Sequence, residues 1–298
     1  MSVVNRTREP EYWSSPHGRP LPRPGARTLI MGVLNVTPDS FSDGGRYAAP
    51  GEAAARAQRL VADGADVIDI GAESTRPGAP ALGEAEELAR LIPAIEAVRR
   101  ALPAVAISAD TYKADVARAA IAAGADIIND VHGGRQRACL ATLDSPMCRA
   151  AAETGAPIVL MHNRETPDYR HFRADFLREL QESLAMAMHA GVPARQVWID
   201  PGFGFGKTPE HNLEATRDLA RITSLGYPVL FGASNKSTLG KILGRADPND
   251  RHEGNVAVHL WAVQAGAAMI RVHEPAAIRP YLKVTDAIRA ARLPAAAQ

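Results

Sequence analysis

Short apolar runs alternate with alanine-rich stretches eight times along this chain, and that rhythm restricts the fold more than any other feature. The runs at 28–34, 66–70, 105–109, 126–129, 157–161, 196–200, 227–232 and 268–272 have the length and β-rich composition of strands. Helical stretches follow near 51–63, 84–101, 113–123, 147–154, 173–190, 209–224, 251–266 and 275–291. Gly, Pro and Asp punctuate the joins. Three joins repeat one pattern: Asp63-Gly64-Ala65-Asp66, Ala123-Gly124-Ala125-Asp126 and Ala265-Gly266-Ala267-Ala268. In each, the glycine suits the left-handed position that closes a helix, and a strand starts at once. Strands apolar on both faces belong to a parallel sheet covered by helices. Eight strand–helix units close a (β/α)8 TIM barrel. An open doubly wound sheet is the alternative. It calls for a glycine-rich phosphate loop after the first strand, where this chain has Asn35-Val36-Thr37-Pro38.

A barrel of this kind carries its active site at the C-terminal ends of its strands. Each expected strand ends in polar groups: Asn35, Glu73 to Arg76, Asp110, Asn129, His162, Asp200, the Ser234-Asn235-Lys236 run, and Arg271 with His273. Asp110, Asn129, Asp200 and Lys236 offer two carboxylates, an amide and a cation. Such a set can pair with a flat heterocycle bearing adjacent N–H donors and carbonyl acceptors, for example a 2-amino-4-oxo pteridine. Helix capping, or pairing of the aspartates with Lys236, would use the same residues structurally. Arg76, Arg271, His273 and Asn35 form a second set. Arginine grips phosphate oxygens in a bidentate manner, and Asn35 with a loop aspartate suits a hard cation such as Mg²⁺. The Gly202-Phe203-Gly204-Phe205-Gly206 run lacks the Lys-Ser/Thr pair of a phosphate loop. It reads as a flexible loop carrying an aromatic that could flank a second small substrate. No nucleophile elbow, zinc-protease motif or paired cysteine nucleophile occurs. Chemistry limited by departure of a leaving group fits that pattern.

The 298 residues carry a net charge of +1, which points to no nucleic-acid or membrane surface. The two cysteines, Cys139 and Cys148, lack metal-ligand spacing and read as reduced thiols. Residues 1–26 are polar and proline-rich, and read as a loosely ordered arm ahead of a barrel over 27–291 and a short tail over 292–298. No apolar run nears the ~20 residues of a membrane span, so a cytoplasmic protein is expected. Arg135 to Pro146 reads as a surface excursion.

The sequence resembles the dihydropteroate synthase family over about residues 27–291. Five ordered motifs carry the likeness. They are Gly32-Val33-Leu34-Asn35-Val36-Thr37-Pro38-Asp39-Ser40-Phe41-Ser42-Asp43-Gly44-Gly45, Asp69-Ile70-Gly71-Ala72-Glu73-Ser74-Thr75-Arg76-Pro77-Gly78-Ala79, Ile128-Asn129-Asp130-Val131, Asp200-Pro201-Gly202-Phe203-Gly204-Phe205-Gly206-Lys207 and Arg271-Val272-His273. The resemblance implies that 6-hydroxymethyl-7,8-dihydropterin diphosphate is joined to 4-aminobenzoate, with release of pyrophosphate. It implies Asp110, Asn129, Asp200 and Lys236 as pterin-binding residues, with Met161 stacking on the ring. It assigns Asn35, Arg271 and His273 to the Mg²⁺–diphosphate grip. It places Thr75, Arg76, Pro77, Phe205 and Ser234 at the aminobenzoate pocket, and Phe41 and Asp43 on the closing first loop. A homodimer is implied too. The chain departs from the family at Asn235, where Arg is usual beside the aminobenzoate end, and at Glu274, where Asp is usual. A catalytically weak pterin-binding paralogue and a pterin-dependent methyltransferase barrel are the competing functions. The full first and second loops speak against the methyltransferase.

Overall fold

The computed structural model describes residues 13–37, 50–74, 81–135, 139 and 142–292. Eight parallel strands run β1 Leu29–Asn35, β2 Val67–Gly71, β3 Ala106–Asp110, β4 Ile127–Asp130, β5 Ile158–Met161, β6 Val197–Asp200, β7 Leu230–Phe231 and β8 Met269–Val272. Hydrogen bonding follows the order β6-β5-β4-β3-β2-β1-β8-β7. A single bridge between Ile199 and Val229 joins the two ends, so the sheet closes on itself as a (β/α)8 barrel. The open doubly wound alternative is excluded by that closure. The expected strands all form, although β7 keeps only two ladder residues of the six anticipated.

Helices cover the outside: α1 Pro50–Ala62, α2 Glu84–Ala101, α3 Ala114–Ala122, α4 Pro146–Thr154, α5 Phe172–His189, α6 Pro209–Arg217, α7 Leu219–Thr223, α8 Ser237–Leu243, α9 His252–Gln264 and α10 Pro275–Ala290. The expected helix at 209–224 is broken at Asp218, and α8 forms where none was anticipated. The Gly64, Gly124 and Gly266 joints all take positive φ, as the helix-to-strand turn requires.

Strand side chains alternate between two cores. Ile68, Ile70, Ile107, Ile128 and Leu160 face the helices in the larger one. Met31, Val67, Ala106, Ile127, Val159, Trp198 and Met269 fill the lower barrel interior. Trp13 plugs that interior from below. Its ring lies 4.3 Å from that of Trp198, and its indole N–H donates to the Pro22 carbonyl. Ser15 and Arg19 both reach the buried Asp126 carboxylate, which also binds Arg99. Residues 13–26 are therefore docked, while residues 1–12 of the expected arm and 293–298 of the expected tail lie outside the described residues. An aromatic ring worth burying and a carboxylate needing donors outweigh the weak local propensity. Arg135, at the start of the expected excursion, is pinned by Glu179 and Glu182, and Ser145 caps α4. Cys139 and Cys148 are buried thiols.

Candidate active site

Above the apolar layer the barrel interior turns polar. Asp69, in mid-strand on β2, is fully buried. Its Oδ2 accepts from Arg271 Nε at 2.7 Å and from Asn129 Nδ2 at 3.2 Å. Arg271 Nη2 donates at 2.7 Å to Asp110 Oδ2, so one guanidinium spans two carboxylates. Asp110 packs close because Gly71 has no side chain; a Cβ there would lie 3.3 Å from that of Asp110. The other oxygens, Asp69 Oδ1 and Asp110 Oδ1, are buried and accept no hydrogen bond among the described residues.

Two carboxylates on one arginine leave an excess negative charge. Burial pushes Asp110 up to about 7, against the pull of Arg271. Asp200, at the end of β6, is likewise driven up to about 6 by burial, opposed by the Gly202 N–H that its Oδ1 accepts at 2.6 Å. Burial works against the charge on Arg271, but Asp69 and Asp110 outweigh it and hold its pKa above the ordinary guanidinium value. The floor is thus short of hydrogen-bond donors, and a flat ligand rich in N–H groups would satisfy it.

The walls come from β5, β6 and the β7–α8 loop. Met161 ends β5, nearly buried, and is paired in register with Asp200. The chain after Asp200 turns back across it at Gly202, whose φ is +66° and where a Cβ would lie 2.0 Å from the His162 carbonyl oxygen. Only glycine fits there. That turn carries Phe205, whose ring centroid is 3.9 Å from Lys236 Nζ. Ser234 Oγ meets His273 Nδ1 at 2.9 Å, and Asn35 ends β1 half-buried, beside Gly71.

The structure therefore brings together Asp110, Asn129, Asp200, Met161, Lys236, Phe205 and Arg271 around one mouth. His273 sits with Ser234 on the β7–β8 side, while Arg271 is committed to the carboxylate floor. Phe41, Asp43, Thr75, Arg76 and Pro77 lie outside the described residues. Asn235, between Ser234 and Lys236, lines a cavity with Ser234 and His273. It takes φ +59°, and its carboxamide pairs with that of Asn255 on α9 at 2.6 Å. Asp69 was not singled out as a site residue from the sequence. A charged residue between Ile68 and Ile70, in a run apolar on both sides, was the available signal.

The chain matches the pterin binding enzyme family over residues 31–273. A dihydropteroate synthase from Bacillus subtilis (strain 168) is 45% identical over 262 residues, covering 88% of this chain and 89% of that protein. This chain belongs to the dihydropteroate synthase family of pterin-binding enzymes. Among solved members, the Xanthomonas albilineans dihydropteroate synthase with 4-aminobenzoic acid superposes with a TM-score of 0.82 at 45% identity, over 89% of this chain and 94% of that one. The same enzyme in complex with 7,8-dihydropteroate gives a TM-score of 0.79 at 42% identity, with the same coverage. The barrel described above is thus the family's fold. No helix among the described residues is long and apolar enough to cross a membrane.

Proposed function

We propose that this chain is a dihydropteroate synthase, a transferase that condenses 6-hydroxymethyl-7,8-dihydropterin diphosphate with 4-aminobenzoate to give 7,8-dihydropteroate and pyrophosphate. The donor-poor floor supports this reading most directly. The aminopyrimidine edge of a pterin offers adjacent N–H donors to Asp69 Oδ1, Asp110 Oδ1 and the Asp200 carboxylate. Asn129 and Lys236 read its acceptors, and Met161 packs on the ring face.

In the reaction the C–O bond to the diphosphate breaks and a C–N bond to the aminobenzoate forms. The amine, neutral at pH 7, loses a proton once bonded. It needs placement more than activation. The electron-rich pterin spreads the positive charge that develops on the methylene. Arg271 holds the floor electrostatically ready, and His273, steadied by Ser234, donates toward the departing oxygens. Phe205 walls the aminobenzoate side and excludes water beside the reacting carbon. Thr75, Arg76, Pro77, Phe41 and Asp43 are proposed to complete the aminobenzoate pocket and its closure.

Asn35 supports a role for Mg²⁺. Among the described residues no three His, Cys, Asp or Glu side chains form a metal cluster. Mg²⁺ suits a site with one protein oxygen, several waters and substrate phosphates, and the half-buried Asn35 carboxamide fits that description. When bound it would supply neutralisation of the departing diphosphate.

We further propose a homodimer in the cytoplasm. Trp261 on α9 and Val284 and Ile288 on α10 are 57%, 61% and 67% exposed, a large apolar load for adjacent helices facing water.

Pyrophosphate release by the purified protein tests the reading, with Mg²⁺, the pterin diphosphate and 4-aminobenzoate each omitted in turn. Release that needs all three is expected. Pterin binding without any release would instead support an inactive paralogue.

A further inference from the structure

One charged cluster lies beneath the mouth and has no part in the chemistry above. Lys207 follows the glycine-rich turn, and its ammonium is enclosed by four acceptors. Nζ donates to the carbonyls of Gly202 and Phe205, both at 3.0 Å, to that of His162 at 3.3 Å, and to His162 Nδ1 at 2.9 Å. Two of these carbonyls belong to the turn that carries Phe205; the third ends the β5 segment holding Met161.

His162 is fully buried, and its other nitrogen, Nε2, lies 2.9 Å from Glu179 Oε2 on α5. Burial, with Lys207 adding to it, lowers the imidazole to about 3, so the ring is neutral. Glu179 is held far below the usual carboxylate range, because the donors of His162 and Arg164, with the charge of Arg135, outweigh its burial. The carboxylate can only accept. His162 therefore carries its proton on Nε2, and Nδ1 accepts from Lys207. A chain runs from Glu179 through His162 to Lys207 and on to the aromatic turn.

We propose that Lys207 is a positioning residue: its ammonium holds the Gly202–Phe205 turn from beneath and sets Phe205 against Lys236. The proposal rests on the synthase reading for its kinetic consequence and on geometry alone for its structural one. Charges on every side bear on the titration. Asp200 on β6 and Glu179 on α5 favour the ammonium; Arg164 before α5 and Lys236 at the start of α8 oppose it, and burial lowers it to about 7. Arginines do not deprotonate, so in this crowded positive cluster the lysine yields first. A neutral amine keeps two donors for four acceptors.

The test uses the full chain and Lys207→Met, with Phe205→Ala alongside. Steady-state kinetics over pH 6–9 are combined with calorimetric affinity for the pterin diphosphate and with hydrogen–deuterium exchange of residues 202–206. In the wild type, kcat/KM for 4-aminobenzoate should decline above about pH 7 while pterin affinity does not follow it. Lys207→Met should raise the aminobenzoate KM about tenfold, the worth of one charge-assisted hydrogen bond. It should also lose the alkaline decline, keep pterin affinity within about twofold, and mirror Phe205→Ala. Exchange in residues 202–206 should rise. Unchanged KM, an intact alkaline decline, or equal loss of pterin affinity would overturn the proposal. If the wild type released no pyrophosphate, the synthase reading would fall, and exchange would still decide: faster exchange in Lys207→Met supports the clamp, unchanged exchange refutes it. Lys207→Gln, which keeps one donor, carries the same readouts if the methionine variant does not fold.

Discussion

Asp200 is buried where a carboxylate is uncomfortable, and the discomfort has a measurable sign. Burial pushes its carboxyl up to about 6, from the ordinary 3.8. A raised acid binds its proton more tightly in the native state, so stability falls as pH rises through the window from about 4 to 6 and stays low above it. Asp200→Asn keeps an oxygen for the Gly202 N–H and removes the charge. It should stabilise the protein at pH 8 by up to about 3 kcal/mol, with the gain vanishing near pH 4, while weakening pterin binding. Thermal unfolding at both pH values, beside calorimetric pterin titration, checks this. A variant no more stable at pH 8 than the wild type would show that solvent reaches the carboxylate. Asn235 gives a second residue-scale test. Its positive φ suits asparagine or glycine, and its side chain is engaged by Asn255. Asn235→Ala should therefore cost more than Asn235→Gly, by about 1 kcal/mol, despite the greater chain entropy of glycine. Urea denaturation of both variants measures the difference; equal losses would mean that the backbone relaxes.

The barrel works as stacked layers at the scale of its elements. Trp13 and the lower strand residues form an apolar layer, and the Asp69–Arg271–Asp110 layer sits above it. Strands held by their ladders join the two ends. Trp13→Ala should consequently cost about 3–5 kcal/mol of stability by leaving a cavity against Trp198. Both KM values should stay near wild type. A large shift in either KM at a temperature where the variant is folded would show that the plug shapes the site. Strand and helix positions were readable because apolar runs and alanine-rich stretches differ in period and composition. The split of α6 from α7 at Asp218 was not, since nothing in 209–224 breaks a helix by propensity alone. The two-residue β7 was overestimated because an apolar run marks burial, and burial does not require a full ladder.

The whole molecule raises the question of what covers α9 and α10. Trp261→Asp with Ile288→Asp should shift sedimentation equilibrium from a dimer toward a monomer without changing the far-ultraviolet circular dichroism. A species of unchanged mass would place the contact elsewhere. Turnover per chain should persist in the monomer, because the residues assigned to the site belong to one chain.

Some features follow from local chemistry and order along the chain, and these the sequence determined by itself. They include eight alternating units, hence a barrel, and polar groups at the strand ends, hence a rim. They also include five motifs in the family's order, hence a pterin-binding synthase. Tertiary structure alone decided which polar groups meet. Arg271 lies 161 residues from Asp110 and 202 from Asp69, and only barrel closure lets one guanidinium span both. Asp69 is buried in the same enclosed interior, Asn235 finds its partner on α9, and Lys207 folds back under its own loop. Pairing across the barrel depends on side-chain reach and on the charge left over after burial. Neither quantity is written in local sequence, because both are properties of the enclosed space.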